Sequence, residues 1–252
     1  MSRADPEASF LHPNQAHLTQ DPTVPPAQTL SNRDVVRVDN GLSVATAQRL
    51  QEFIDETLDY SLEVVNSFRV PRGFRFAYVL EKGNRYNMLL PFDDDKERQR
   101  QRDEQEAASI SSPPPDSSVM LDAMNELLRE AGTIGPILEE LLGENAILYE
   151  LACLISDPGS NRQAIHPDIV FQPDRIPLVA RFVSLQDVDS SMGPTVFLPD
   201  TVLEDYHRKI NNDAEADEML KSIPSVISTL NMGDRSLYNP MVLHAGGGNE
   251  SN

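Results

Sequence analysis

The sequence predicts a mainly β domain, a β-sandwich or jelly roll, buttressed by helices near its N-terminus. Two observations predict it. Apolar residues recur at helical spacing in the first half of the chain, and short β-branched and aromatic runs crowd the second half. Helices that precede many short strands are typical of a sheet core with helices against it. With 252 residues, the chain is long enough for one domain with a sizeable core.

The first segment, residues 1–33, is polar and rich in proline. Such a composition buries too little apolar surface to offset the entropy that ordering costs, so we predict a disordered tail. Residues 34–252 are predicted to form the single folded domain.

A helix is predicted from Ser43 onward, because apolar residues then return at steps of three and four. Ser43 itself is the predicted N-cap. Beyond this helix, short apolar runs at 75–80 and 86–90 flank a polar turn around Gly83. This pattern predicts a β-hairpin or two edge strands.

Residues 93–118 interrupt the pattern with charges of both signs and three consecutive prolines. We predict a solvated loop or insertion here, with a partner-binding segment as the alternative. Two more helices are predicted beyond it. The first has an apolar stripe from Met120 to Leu128, and the second starts at Pro136 and ends at Gly143.

The composition narrows the classes of function. The chain has 40 Asp and Glu residues against 21 Lys and Arg, which gives a formal net charge of −19. This charge repels phosphate backbones and anionic lipid surfaces, so we expect no nucleic-acid or membrane partner. No apolar run has the length of a signal peptide or a membrane span, which favours a cytoplasmic protein. With a single cysteine, Cys153, no intramolecular disulfide can form, and a buried thiol is expected.

His166 and Asp168 form the first part of a candidate metal site. Side chains two residues apart on an extended chain point to the same side. Pro167 favours an extended conformation of the residue before it. The His-X-Asp pattern is common by chance, so on its own it is a weak indication.

The positions of the five histidines strengthen this interpretation. His12 and His17 lie in the predicted tail, and His207 lies in a polar helical stretch where we expect it to face solvent. His166 and His244 remain in strand-rich surroundings, although a hydrogen-bonded core histidine is the alternative for His244. Two imidazoles and one carboxylate occupy one face of an octahedral metal and suit Fe(II), and they also accept Zn or Mn.

Several stretches in the second half of the chain follow one another as an ordered set of motifs. They are IHPD at 165–168, VSLQDVDSSMGPTVFLPDT at 183–201, MGD at 232–234 and VLHAGGGNES at 242–251. The set resembles the phytanoyl-CoA dioxygenase family of Fe(II)- and 2-oxoglutarate-dependent oxygenases. The resemblance covers residues 148–252 and, more faintly, 84–91. It implies a double-stranded β-helix, a jelly-roll relative of the cupins, that holds iron at its open end.

The same resemblance implies roles for individual residues. His166, Asp168 and His244 match the iron ligands of the family. Three further residues match positions beside 2-oxoglutarate: Phe182, Gly246 and Asn249. The implied reaction hydroxylates a C–H bond of a small-molecule substrate and releases succinate and CO2. An aspartate at the carboxylate position favours hydroxylation, because related halogenases carry a small residue there.

One feature departs from the family pattern. The family holds the far carboxylate of 2-oxoglutarate with an arginine about a dozen residues after the distal histidine, but this sequence ends at Asn252. Arg181 and Arg235 are the candidate replacements, although Arg181 alternates with Phe182 and is expected to face away from the iron. We interpret the sequence as a fragment that lacks the last core strand. The alternatives are a non-catalytic jelly-roll protein that keeps the metal site, or a cupin-like metalloprotein without 2-oxoglutarate.

Overall fold

A computed structural model describes residues 15–67, 79–81, 83–90, 115–116, 118–128, 134–174 and 177–251 of the chain. Helices and short strands alternate along it. The elements, in chain order, are β1 (Ala16–His17), α1 (Pro26–Arg33), β2 (Val35–Val38), α2 (Val44–Ser67), β3 (Val79–Glu81), β4 (Arg85–Leu89), α3 (Ser118–Leu128), α4 (Gly135–Leu142), β5 (Ala152–Ser156), β6 (Ala180–Val183), a 3-10 turn (Ser190–Met192), β7 (Thr195–Leu198), α5 (Glu204–Ile210), α6 (Asp213–Ser222), β8 (Val226–Ser228), β9 (Arg235–Tyr238) and β10 (Leu243–Gly246).

Within the described residues, the strands form three sheets. Sheet A has the order β1-β8-β7-β10, sheet B the order β2-β9-β6, and sheet C the order β3-β4-β5. The pairs are antiparallel, apart from the parallel contact of β1 with β8. The prediction of many short strands in the second half of the chain is therefore confirmed. The helices occupy so much of the chain, however, that the protein is a mixed helix-and-sheet structure.

The N-terminal segment differs from the predicted disordered tail. Residues 15–33 contain β1 and α1, and they bury Leu18, Ala27 and Leu30. Ala27 and Leu30 are three residues apart and therefore share one face of α1. The prolines that lowered the average hydrophobicity instead start the helix, since Pro26 is its first residue. Residues 1–14 of the predicted tail lie outside the described residues.

The predicted helices are present. Their apolar faces pack against sheets B and C, and we call the hydrophobic core between them the helix-facing core. Ser43 caps α2, because its Oγ accepts a hydrogen bond from the Thr46 N–H at 3.2 Å. The predicted hairpin is present as β3 and β4. Most of the predicted insertion, at 93–114, lies outside the described residues. The helix-facing core is formed by side chains of α2, α3, sheet B and sheet C, among them Val36, Val38, Leu50, Phe53, Met88, Met120, Leu127 and Leu237.

A second, inter-sheet core lies where sheets A and B meet. It contains Leu18, Val35, Phe197, Val202, Tyr238, Met241 and Val242, with Phe182 packed against it. Strand β9 belongs to both cores, since Leu237 faces the helices and Tyr238 faces sheet A. None of the helices in the described ranges combines the length and apolar character that crossing a bilayer requires.

Candidate metal centre

A backbone bridge brings His166 and His244 together. The N–H of each residue donates to the carbonyl oxygen of the other at 2.9 Å, as in an antiparallel pair. His244 lies on β10, and β7 pairs with that strand through Phe197. Because His166 pairs with His244 as a strand residue would, it has the extended conformation expected of a residue before proline.

Asp168 is held beside the two histidines by the chain before β10. Its backbone N–H donates to the Pro240 carbonyl oxygen at 2.9 Å. Its Oδ1 atom lies 3.5 Å from His244 Nε2. His166, Asp168 and His244 each offer one ligand atom, and these three atoms lie within 4.8 Å of one another. The structure therefore brings together the three residues that the sequence singled out as ligands.

Both imidazoles are oriented by backbone carbonyls. His166 Nδ1 lies 2.7 Å from the Ala164 oxygen, and His244 Nδ1 lies 3.0 Å from the Val242 oxygen. A carbonyl oxygen only accepts hydrogen bonds, so each Nδ1 carries a proton and each Nε2 is the nitrogen that is left to face a metal. This orientation is the one that metal-binding histidines use, and the donor set of two neutral imidazoles and one carboxylate fits a first-row divalent metal.

Tyr238 joins this group of ligands to the inter-sheet core. Its hydroxyl donates to Asp168 Oδ2 at 2.8 Å, which leaves Oδ1 on the side of His244. Its ring centroid lies 5.2 Å from that of Phe182, 5.1 Å from that of Phe197 and 5.1 Å from that of His244. Tyr238 could not be predicted from the sequence, because its position beside Asp168 depends on the contact of residue 168 with Pro240, just after β9.

The environment keeps Asp168 ionised. Burial acts to raise the pKa of its carboxyl, but the adjacent imidazole of His244 and the hydroxyl of Tyr238 lower it by more, so the pKa lies below its ordinary value. Burial, together with the charge of Asp168, raises the pKa of the Tyr238 phenol. Tyr238 therefore stays protonated and can donate to the carboxylate.

The three residues expected beside 2-oxoglutarate occupy different surroundings. Phe182 stacks on Tyr238, on the side of sheet B that faces the centre. Gly246 lies two residues after His244 on β10 and thus on the same face. Asn249 is buried, and its amide donates to the Ser156 oxygen at 2.7 Å, which fastens the loop after β10 to β5.

Gly246 has two polar neighbours, Gln163 and Arg85, that no pattern in the sequence predicted. A Cβ on Gly246 would lie 2.8 Å from Gln163 Oε1 and 2.9 Å from Arg85 Nη1, so a side chain does not fit here without movement. Gln163 accepts a hydrogen bond from the Gly246 N–H at 2.8 Å. Arg85 donates to Ser156 Oγ at 2.6 Å and also to the Gly247 oxygen.

The two arginines considered as partners of 2-oxoglutarate lie away from the centre. Arg181 pairs across the strands with Leu237, which belongs to the helix-facing core, and Arg235 is two residues from Leu237 on the same strand. Both arginines therefore occupy the side of sheet B opposite Phe182 and Tyr238.

The prediction that His207 faces solvent is wrong. The residue is buried on the inner side of α5. Its Nε2 lies 2.8 Å from the Met241 oxygen, and its Nδ1 accepts from the Phe171 N–H at 2.9 Å. The polar sequence around it covers the outer side of α5, whereas His207 lies on the inner side.

Comparisons with known proteins identify similar structures. No protein-family model matches the sequence, and no curated protein is found that is similar to it. The chain is similar to the crystal structure of SnoK, a non-heme alpha ketoglutarate dependent carbocyclase from nogalamycin biosynthesis. The TM-score is 0.56 and the identity 15%, over 90% of this chain and 78% of SnoK. It is also similar to AviO1 from Streptomyces viridochromogenes Tue57, with a TM-score of 0.56 and 14% identity, over 93% of this chain and 90% of AviO1. At such identities, the likeness shows that the chain shares the fold of these two structures.

Proposed function

We propose that this chain is an Fe(II)- and 2-oxoglutarate-dependent dioxygenase that hydroxylates a C–H bond of a small molecule and releases succinate and CO2. The observation that carries the proposal is the convergence of His166, Asp168 and His244, whose ligand atoms lie within 4.8 Å of one another. The fold shared with SnoK, an alpha ketoglutarate dependent enzyme, supports it. We also propose that sheets A to C form a double-stranded β-helix of the phytanoyl-CoA dioxygenase type.

The three ligands would bind the metal on one side and leave its other coordination positions open for the reaction. Two imidazoles and a carboxylate would occupy one face of an octahedral Fe(II), so that three positions remain for co-substrate and oxygen. When bound, Fe(II) with 2-oxoglutarate and O2 supplies the oxidant that attacks the substrate C–H bond, and 2-oxoglutarate loses CO2 to become succinate.

The protein holds its ligands still and limits water around them. The carbonyls of Ala164 and Val242 fix the two imidazoles, and Tyr238 fixes the carboxylate. Aromatic rings close the inner side of the centre, whereas the Asp168 side chain is 39% exposed. The substrate therefore approaches from the side of Asp168.

We propose that 2-oxoglutarate lies along β10, beside Phe182, Gly246 and Asn249. Because Gly246 has no side chain, the polar ends of Gln163 and Arg85 lie close to β10 at this position. Arg85 and Gln163 lie next to Gly246 and offer a cation and an amide to a carboxylate. Arg85 thus replaces Arg181 and Arg235 as the proposed partner of the far carboxylate.

The charge of the chain supports a small-molecule substrate. A formal net charge of −19 disfavours nucleic acids and anionic membranes, so we propose a cytoplasmic enzyme that acts on a free metabolite.

Succinate release tests the proposal. The purified full chain is supplied with Fe(II), 2-oxoglutarate and oxygen, and succinate is measured with and without the metal. We expect Fe(II)-dependent succinate that His166→Ala abolishes and that the control His17→Ala retains, because His17 is exposed on β1 and contacts Thr229.

Two other results would redirect the assignment. Succinate release that His166→Ala leaves unchanged would contradict the proposed metal centre. Tight metal binding without any succinate would support a non-catalytic metalloprotein, and the identity of the co-purified metal would then separate an iron protein from a cupin-like one.

A further inference from the structure

Two arginines lie side by side on the helix-facing side of sheet B. In the register of β6 with β9, Arg181 is opposite Leu237 and Val183 is opposite Arg235. Arg181 and Arg235 are therefore diagonal neighbours on one face, close enough for long side chains to meet. That face belongs to the helix-facing core, whose residues here are apolar, such as Val38 on β2.

These guanidinium groups are buried without the partners they require. Arg235 is 0% exposed, and its Nε, Nη1 and Nη2 atoms have no hydrogen-bond partner among the described residues. Arg181 Nη1 is likewise buried with no partner in the described ranges, and the neighbouring Nη2 contacts Met124 Sδ at 3.9 Å. Because a guanidinium carries five N–H donors, burying that of Arg235 unsatisfied is strongly unfavourable, and the unpaired Nη1 of Arg181 adds to the cost.

Both groups keep their charge at neutral pH. Burial, together with the charge of Arg181, lowers the pKa of Arg235 to about 10, and Asp234 acts in the opposite direction. Burial also lowers the pKa of Arg181. Burial is the main cause of both shifts, and an arginine in either place stays protonated near pH 7.

The nearby carboxylates are already engaged. Asp234 binds Arg37 at 2.7 Å and the Asn40 N–H at 2.8 Å. On α3, Asp122 pairs with Arg49 at 2.8 Å. No carboxylate in the described part of the chain makes an ion pair with Arg181 or Arg235.

Glu126, also on α3, accepts hydrogen bonds from the hydroxyls of Thr46 and of Ser43, which lies at the start of α2.

The backbone beside Arg235 leaves room for its guanidinium group. A Cβ at Gly41 would lie 1.6 Å from Arg235 Nη1, so only glycine allows the side chain to take this position.

We propose that Arg181 and Arg235 form a binding site for a small, doubly charged oxyanion, between sheet B and helices α2 and α3. Oxygen atoms of such an anion accept the unpaired N–H groups, and its charge cancels that of the arginines. Phosphate, sulfate and short dicarboxylates share this chemistry. The site is separate from the metal centre, because Phe182 and Tyr238 lie on the other face of the sheet.

Thermal unfolding of the metal-free full chain tests the site. Inorganic phosphate, sulfate and succinate are each titrated against chloride at constant ionic strength. We expect Tm to rise by about 5–10 °C at a concentration 100 times Kd, since an anion that binds only the folded state stabilises it. The anion that acts at the lowest concentration shows whether the natural ligand is tetrahedral or a dicarboxylate.

Matched variants locate the effect. Arg235→Met is expected to lose the rise in Tm, whereas Arg208→Met removes the same charge from the exposed surface of α5 and is expected to retain it. His166→Ala is also expected to retain it, which separates this site from the metal centre. If Arg235→Met does not fold, Arg181→Met makes the same test.

Two results would overturn the proposal. One is a wild-type Tm that none of the three anions raises above the chloride control. The other is an arginine variant of this pair that responds to the anions as strongly as Arg208→Met does. Calorimetric titration of the wild type provides an independent check, because the site requires saturable binding of one anion per chain.

Discussion

At the scale of single residues, Tyr238 makes the contacts on which the geometry of the centre depends. Its hydroxyl occupies one oxygen of Asp168, and its ring packs between the rings of Phe182 and His244. A residue that binds a ligand through such a hydrogen bond restricts the positions that the ligand can adopt. Tyr238 is therefore a positioning residue for the metal.

Tyr238→Phe tests this role. The variant keeps the ring contacts and loses the hydrogen bond to Asp168, so we expect metal affinity to fall about 10- to 100-fold. Titration with Co(II), followed by absorbance, measures the change. Tyr149→Phe is the control, because the Tyr149 side chain is 78% exposed. Equal affinities in the two variants would contradict the role.

The sequence predicted the ligands better than it predicted their support. His166 and Asp168 could be predicted as neighbours, because the i and i+2 spacing and the intervening proline act locally. Tyr238 and Gln163 could not, since each reaches its partner only through contacts between segments that are far apart in the sequence. No local pattern in the sequence contains that information.

At the scale of elements, α5 ties together the two segments that carry the ligands. His207 binds the Phe171 N–H, which follows Asp168 by three residues, and the Met241 oxygen, which precedes His244 by three. One buried ring thus fixes the distance between the loop after Asp168 and the start of β10.

His207→Phe retains a ring and removes both hydrogen bonds. Each orphaned backbone group costs about 1–3 kcal/mol, so we expect a loss of about 2–5 kcal/mol in the free energy of unfolding, together with weaker metal binding. Urea unfolding and Co(II) titration measure the two effects. His17→Phe, on the exposed β1, is the control and is expected to change neither.

Strand β5 carries a thiol that should be inert. Cys153 faces the helix-facing core opposite Met88, and burial, together with the charge of Asp55, raises its pKa to about 12. The native thiol therefore stays protonated up to about pH 10 and should not react with a disulfide reagent, whereas the unfolded chain should react at once.

The raised pKa of Cys153 also sets the sign of a stability effect. The unfolded thiol loses its proton above about pH 8.5, where the folded one keeps it, so its contribution to stability decreases as pH rises from there. Urea unfolding of the wild type and of Cys153→Ala should diverge between about pH 8 and pH 11. Identical pH profiles would show that the thiol is exposed.

The elements themselves were predicted unevenly. The apolar periodicity after Ser43 predicted α2 and its cap, because helix formation depends on contacts within a few residues. Helix α1 was missed, since two buried residues in eight are too few to dominate a proline-rich composition. Its stability comes from packing against neighbouring elements instead.

At the scale of the whole molecule, the net negative charge lowers the stability of the folded state. With a formal net charge of −19, we expect repulsion among carboxylates to exceed the attraction within surface ion pairs such as that of Arg49 with Asp122. We expect Tm to rise when NaCl is increased from about 0.01 M to about 0.5 M, since salt screens the repulsion. A fall in Tm over that range would show that ion pairs dominate.

The backbone bridge between His166 and His244 has a consequence for how the protein handles its metal. Two reciprocal hydrogen bonds hold these residues in register without any ion. We therefore expect metal binding to require little rearrangement of the backbone. Small zinc-dependent domains behave differently, because they unfold when the metal is removed. This scaffold should survive chelation with an unchanged circular dichroism spectrum and regain its ion afterwards, which suits a centre that must tolerate repeated loss and reloading.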